Sequence, residues 1–255
     1  MSVPKPYFRL WRPVKGYDCL GEIFKEKGTI VPSLDYLGED CFVPQAEMQS
    51  LVTTAHLIIR DLYELFDYVE PRNENEKTFS HRIYELFLRT ATEFESNCKG
   101  ILKANGYAKA DNITDYFKIS KAARLWEYRV VFNRWMPEKE FVPFKKWQEQ
   151  EFESLPWYKS YNNVKHNRYE CFNEANLGNL MNAVAGLLCI LHAQIGENMV
   201  EASIERVYSS QSEQDKVHSA AFLIKAPKFP DEEQYEFVWD QIKNEAEPVV
   251  RYLFV

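Results

Sequence analysis

The sequence predicts a mainly α, α+β protein, with an antiparallel helical bundle over residues 45–196 and a small β-sheet formed by the terminal segments. Three observations carry this. Between Gln45 and Ile195 apolar residues recur mostly at spacings of three and four. Pro4, Pro6, Pro13, Pro32 and Pro44 exclude a helix from the first stretch of chain. Runs rich in β-branched and aromatic residues lie toward the ends, at 7–11, 220–224, 235–239 and 249–254. The chain therefore divides into an extended N-terminal segment (1–44), the bundle (45–196) and an acidic α/β extension (197–255).

In order along the chain, 7–11 (Tyr-Phe-Arg-Leu-Trp) is a short strand. Residues 45–69 form an amphipathic helix, since Met48, Leu51, Val52, Ala55, Ile58, Ile59, Leu62, Leu65, Phe66 and Val69 share one side; Pro71 stops it. After the polar loop 72–77, Thr78 or Ser80 caps a helix over 79–105 with the stripe Ile83, Phe87, Ala91, Phe94, Cys98 and Ile101/Leu102. Asn105-Gly106 ends it, and Glu85/Arg89, Arg89/Glu93 and Glu95/Lys99 are spaced as i,i+4 pairs. Residues 111–135 read as one or two Lys/Arg-rich helices, before Pro137 and Pro143 open a loop that holds Trp147.

Pro156, in the first turn where its missing N–H is harmless, starts a helix running to about Phe172, with Trp157, Tyr161, Val164, Arg168 and Phe172 on one side. The helix over 176–195 turns Leu177, Leu180/Met181, Val184, Leu187/Leu188, Leu191 and Ile195 to a core. Its second seam, Gly178, Asn182, Gly186, Cys189 and Ala193, is small enough to admit another helix, from this chain or from a dimer mate. Residues 201–216 read as a polar connector.

Composition narrows function. The chain has 255 residues, 45% of them hydrophobic, with only 9 Gly and 12 Pro, which excludes disulfide miniproteins, collagen-like repeats and wholesale disorder. Its net charge of −7 opposes nonspecific attraction to polyanions, yet residues 118–168 hold eleven Lys/Arg against six Glu, a local +5 that leaves −12 elsewhere. The five cysteines (Cys19, Cys41, Cys98, Cys171, Cys189) form no CxxC pair or Cys/His cluster, so free thiols and no bound metal are expected. There is no leader-like N-terminus, and the longest apolar run is interrupted by Asn179, Asn182, His192 and Gln194; a cytoplasmic protein with no membrane partner is expected. No Gly-rich phosphate loop, GxSxG elbow or HExxH helix occurs, and no cofactor is expected.

The remaining chemistry lies in 157–168, Trp-Tyr-Lys-Ser-Tyr-Asn-Asn-Val-Lys-His-Asn-Arg. On a helix Asn162 and His166 share a face and Lys159 lies a turn back, a patch of amide, imidazole and ammonium groups above an aromatic base. Imidazole suits proton transfer near neutrality, and a nearby cation stabilises a phosphorane-like transition state.

The Asn162-xxx-His166 spacing before a long apolar helix, with Glu95-xxx-Lys99 on an earlier one, resembles the HEPN superfamily over about residues 80–196. The resemblance implies a helical bundle and a role on RNA, as in the metal-independent endoribonucleases of prokaryotic defence systems, with a site assembled across a homodimer. By position His166 matches the family's His, Asn162 its polar residue, and Glu95 and Lys99 the supporting acid and base. The family's Arg is not matched: Tyr158 stands at its place, and Lys159, the nearest cation, lacks the planar fork that grips phosphate through two bonds. Lys145, Lys146, Lys165 and Arg168 are the candidate nucleic-acid contacts. Three readings follow: an endoribonuclease, a noncatalytic module that binds RNA, a nucleotide or a partner protein, and a helical scaffold that associates through the small-residue seam.

Overall fold

α1 (Gln45–Phe66) and α2 (His81–Ala104) form an antiparallel pair, and α2 packs along most of its length on α6 (Leu177–Ile195), the central helix. The structure, a computed structural model, describes residues 2–15, 43, 45–148, 151–196 and 222–254. Between these helices come α3 (Ile113–Ala123), the strands β1 (Arg129–Phe132) and β2 (Lys139–Phe141), α4 (Pro156–His166) and the single turn α5 (Arg168–Cys171); β3 (Phe222–Lys225) and a second single turn, α7 (Trp239–Ile242), follow. The chain is mainly α with one small antiparallel sheet.

The caps explain the boundaries. Ser80, rather than Thr78, accepts a hydrogen bond from the Ile83 N–H, and Gly106 leaves α2 at φ +82°. Asn112 and Asp115 close a reciprocal capping box on α3. Asn176 accepts from the Asn179 N–H to start α6. The stripe Ile83, Phe87, Ala91, Phe94, Cys98, Ile101 and Leu102 is wholly buried, and α6 is buried on nearly every side, against α2, α4 and α1. α6 has the length and hydropathy to cross a bilayer, but 78% of its apolar window is covered by the rest of the protein.

The sheet order is β2-β1-β3, with Val130 opposite both Phe141 and Ile224. Val130, Phe132, Phe141, Phe222 and Ile224 are buried, Phe222 lies flat on Phe132 with centroids 4.6 Å apart, and β1 lies against α6. The C-terminal extension supplies one strand, whereas the other two come from the 129–141 hairpin, inside the stretch expected to be helical or loop. α3 ends where Arg124 takes the left-handed conformation (φ 52°), and the run Arg-Val-Val-Phe that follows has the alternation and branching of a strand. The N-terminal segment joins the C-terminal one through isolated bridges instead, Val3 and Val14 to Tyr235 and Tyr7 to Val250. Segment 201–216 lies outside the described residues.

Two further differences concern the helices. The helix expected to reach Phe172 ends at His166, because Asn167 (φ −138°, ψ 65°) breaks it; Arg168 is thereby turned to the surface, away from the buried Trp157, Tyr161 and Val164. The three i,i+4 pairs on α2 are not formed: Arg89 reaches across to Asp61 at 2.6 Å, Glu85 pairs with Arg82, and Lys99 has no ion pair among the described residues. The small seam of α6 is filled from within the chain. A Cβ on Gly186 would lie 3.1 Å from Trp157 Cζ2, and one on Gly178 would lie 3.3 Å from the Glu76 carbonyl oxygen.

Asn105 ties both terminal segments to the end of α2: its amide donates to the Phe8 carbonyl at 2.8 Å, and its oxygen accepts from the Tyr252 N–H at 2.7 Å. Arg12, only 6% exposed, donates to the carbonyls of Ala122 and Glu233 and lies over the rings of Tyr7, Phe229 and Tyr252.

Candidate functional site

α4 has a buried side and a solvent side, and the spacing of its residues decides which groups meet. Trp157, Tyr158, Tyr161 and Val164 face the core, where the Trp157 indole donates to the Pro143 carbonyl at 3.0 Å. The Tyr158 hydroxyl donates to Glu95 Oε1 across 2.5 Å, joining α4 to the middle of α2. Burial pushes the Tyr158 phenol up, and the hydrogen bond to Glu95 and the charge of that carboxylate add to it, so the phenol stays protonated. Lys165 completes the group: Nζ donates to the Tyr161 hydroxyl at 3.0 Å and lies 3.9 Å from Glu95 Oε2. Its hydrogen bond to Tyr161 raises its pKa; partial burial opposes this, and the Glu95 charge supports it.

Replacing Tyr158 by Phe removes a hydrogen bond to a carboxylate that is only 14% exposed, and is expected to cost about 2 kcal/mol in urea unfolding. Glu95→Gln, which keeps an acceptor, should cost less. An unchanged midpoint for Tyr158→Phe would show that this bond does not hold α4 on α2.

On the solvent side Lys159 and His166 are exposed and Asn162 is half-buried. They lie on one face, as their spacing requires, but no hydrogen bond links them, and His166 has no hydrogen-bond or ion-pair partner among the described residues. Of the residues singled out by the resemblance, Glu95 is joined to Tyr158 and Lys165 instead of to Lys99 or His166. Among the described residues the cysteines are not poised for catalysis: burial pushes the Cys98, Cys171 and Cys189 thiols up, away from thiolate. Among the described residues no group of His, Cys, Asp and Glu is placed to hold a metal ion.

Beside the start of α4 lies an open groove of about 270 Å³ lined by Lys145, Lys146, Pro156, Trp157, Asn179 and Asn182. Lys146 pairs with Glu153 at 2.6 Å, whereas Lys145, like Lys159, has no ion pair among the described residues. The Asn179 and Asn182 amides donate to the Glu174 and Gly178 carbonyls at 2.8 Å each, which leaves their carboxamide oxygens as acceptors. Sequence reasoning missed these two asparagines, although polar residues in the first turns of an apolar helix were a visible signal. Trp147 offers no stacking surface, being buried against Phe144 with ring centroids 5.1 Å apart. Arg168 is grouped elsewhere, with its guanidinium 4.7 Å from the Tyr84 ring centroid and 2.9 Å from His81 Nδ1.

These features define a class, a mainly α bundle with a three-stranded antiparallel sheet and a cation- and amide-lined groove at the start of its fourth helix. No family model matches the chain, and comparison with curated proteins and with solved structures finds no significant match.

Proposed function

We propose that the chain is a noncatalytic HEPN-like module that binds RNA along the outer face of α4 and the adjoining groove. One observation carries the noncatalytic half: the residue at the place of the family's Arg, Tyr158, is 4% exposed and has its hydroxyl on Glu95. Phosphodiester cleavage without a metal needs a fixed cation at the developing phosphorane charge, and a neutral, inward-turned phenol supplies none. His166, with no group to orient it among the described residues, lacks the second element of acid–base work.

What supports binding is the distribution of donors and acceptors. Lys145 and Lys159 have no ion pair among the described residues, Asn162 and the exposed His166 follow Lys159 along the same face of α4, and the Asn179 and Asn182 oxygens suit base edges. Affinity of this kind comes chiefly from phosphate neutralisation, and is steeply salt dependent. With a fluorescently labelled single-stranded RNA, anisotropy should report binding that falls as salt rises. Lys145→Glu combined with Lys159→Glu should weaken it roughly tenfold, about 1.4 kcal/mol. Incubated RNA should stay intact, with or without His166→Ala. Cleavage that leaves 2′,3′-cyclic phosphate ends and vanishes in His166→Ala would overturn the noncatalytic reading; absence of binding at low salt would overturn the RNA reading.

A further inference from the structure

Asn105 and Gly106, at the end of α2, form the only Asn-Gly pair in the sequence. A carboxamide is lost most readily before glycine, because no side chain hinders ring closure by the glycine's own backbone nitrogen. Here both hydrogens of the carboxamide are engaged. Its nitrogen donates to the Phe8 and Ile101 carbonyls at 2.8 Å each, and its oxygen accepts from the Tyr252 N–H at 2.7 Å. Asn105 is 7% exposed, and this one group holds the N-terminal segment, the C-terminal segment and the last turn of α2 together.

We propose that Asn105 is a modification site, at which deamidation turns a transient detachment of the terminal segments into a permanent one. The Gly106 nitrogen gives its proton to hydroxide and attacks Asn105 Cγ. The bond from Cγ to the side-chain nitrogen breaks, and that nitrogen takes a proton from water and leaves as ammonia. Water then opens the cyclic imide at one of its two carbonyls, which leaves aspartate or, where the Asn105 main-chain carbonyl is cut from Gly106, isoaspartate. One water is consumed and one ammonia released, with no oxidant or enzyme required.

The folded chain resists the first step. The attacking nitrogen is spent on the Lys103 carbonyl at 2.9 Å, and the carbon to be attacked is fixed by three hydrogen bonds. Ring closure therefore waits for a local opening in which the terminal segments leave α2 and the side chain turns free. The carboxylate then blocks the return. Where Nδ2 donated twice, an anionic oxygen that donates nothing faces the Phe8 and Ile101 carbonyl oxygens, which repel it and lose their partner. Arg251, an exposed cation whose side chain passes Gly106, screens the new charge but gives those two carbonyls no donor by pairing with it. Isoaspartate also adds a carbon to the main chain, which displaces the Gly106 and Tyr107 N–H groups from the Lys103 and Leu102 carbonyls. Neither step involves the groove beside α4, so the inference stands apart from RNA binding.

The test is to age the full chain in mildly alkaline buffer and follow the tryptic peptide 104–109 for the mass gain of NH2 replaced by OH. The folded parent chain should convert at least tenfold more slowly than the same chain in urea. Arg12→Ala, which loosens the terminal segments, should convert severalfold faster than the parent, and Gly186→Ala, which strains the core at Trp157, at the parent rate. The deamidated chain, separated from the parent by its extra negative charge, is then read by hydrogen exchange. The amides of Phe8, Val250 and Tyr252 should exchange at least tenfold faster, while those of residues 87–98 in α2 keep their protection. Asn105→Asp made directly should reproduce this pattern, and the aged parent chain carries the readout should that variant fail to fold. Conversion as fast in the folded chain as in urea, conversion no faster in Arg12→Ala, or unchanged exchange after deamidation overturns the proposal. So does equal acceleration in Gly186→Ala and Arg12→Ala, or loss of protection throughout α2, since either means global unfolding in place of release of the termini.

Discussion

Arg12→Ala is expected to lower the stability of the chain by about 4 kcal/mol. The Arg12 guanidinium donates to the Glu233 carbonyl at 3.0 Å and to the Ala122 carbonyl at 3.1 Å, so it joins the N-terminal segment to the C-terminal one and to the last turn of α3. Hydrogen bonds to a charged group contribute about 1.5–3 kcal/mol each, and truncation leaves acceptors with no replacement partner. The rings of Tyr7, Phe229 and Tyr252, with centroids 5.2–5.7 Å from the guanidinium carbon, lose their cation as well. Arg12→Lys should recover about half, since an ammonium offers the charge without a fork that reaches two carbonyls. Arg12→Met separates the terms: it restores most of the packed volume and none of the hydrogen bonding, and should fall between Ala and Lys. Urea unfolding followed by tryptophan fluorescence reads all three. A loss below about 1 kcal/mol for Arg12→Ala would mean that the terminal segments do not depend on this contact.

How much of this was legible depends on whether a feature is local. α2 could be read nearly to the residue, because its apolar stripe is written within its own 24 residues and its serine cap and Asn-Gly end immediately flank them. β1 could not. Its partner β3 is separated from it by about ninety residues, and Val130-Val131-Phe132 between basic residues suits a buried helix as well as a strand until the partner is known. The end of α4 was hidden for a different reason. The apolar period continues through Arg168 and Phe172, so nothing in the spacing marks the backbone turn at Asn167 that sends Arg168 to the surface.

The site divides in the same way. Spacing on α4 correctly places Lys159, Asn162 and His166 on one face, but it does not say that Tyr158, one residue before Lys159, turns inward toward α2. Glu95 and Lys99 have the spacing of a helical ion pair, worth a few tenths of a kcal/mol at an exposed position. The half-buried environment of Glu95 offers a phenol at 2.5 Å and Lys165 across the helix interface, and those tertiary partners win. Asp61 shows the same competition. Partial burial raises its pKa, but the hydrogen bond and charge of Arg89 on α2, helped by Arg60, outweigh burial and hold it below the ordinary carboxylate value. That pair therefore contributes its small, solvent-screened stabilisation above the unfolded pKa and loses it as pH falls through the folded one.

Gly186→Leu should cost about 3 kcal/mol, near the upper end for overpacking, because the space a side chain would need is already filled. A Cβ alone would lie 3.1 Å from Trp157 Cζ2 and 3.6 Å from Phe144 Cζ, and leucine adds three more carbons to that already occupied space. Trp157 cannot withdraw without stretching its 3.0 Å bond to the Pro143 carbonyl, and Phe144 is stacked on Trp147. Gly186→Ala, which asks the rings to move by a few tenths of an ångström, should cost about 1 kcal/mol. The alternative that the seam is an interface between chains predicts the opposite pattern, a Gly186→Leu protein of unchanged unfolding midpoint whose sedimentation shows lost association. Because Trp157 also lines the groove beside Lys145, a displaced indole reshapes that groove. RNA affinity should therefore fall in Gly186→Leu even where urea shows the chain still folded, and affinity equal to that of the parent chain would detach the groove from RNA binding.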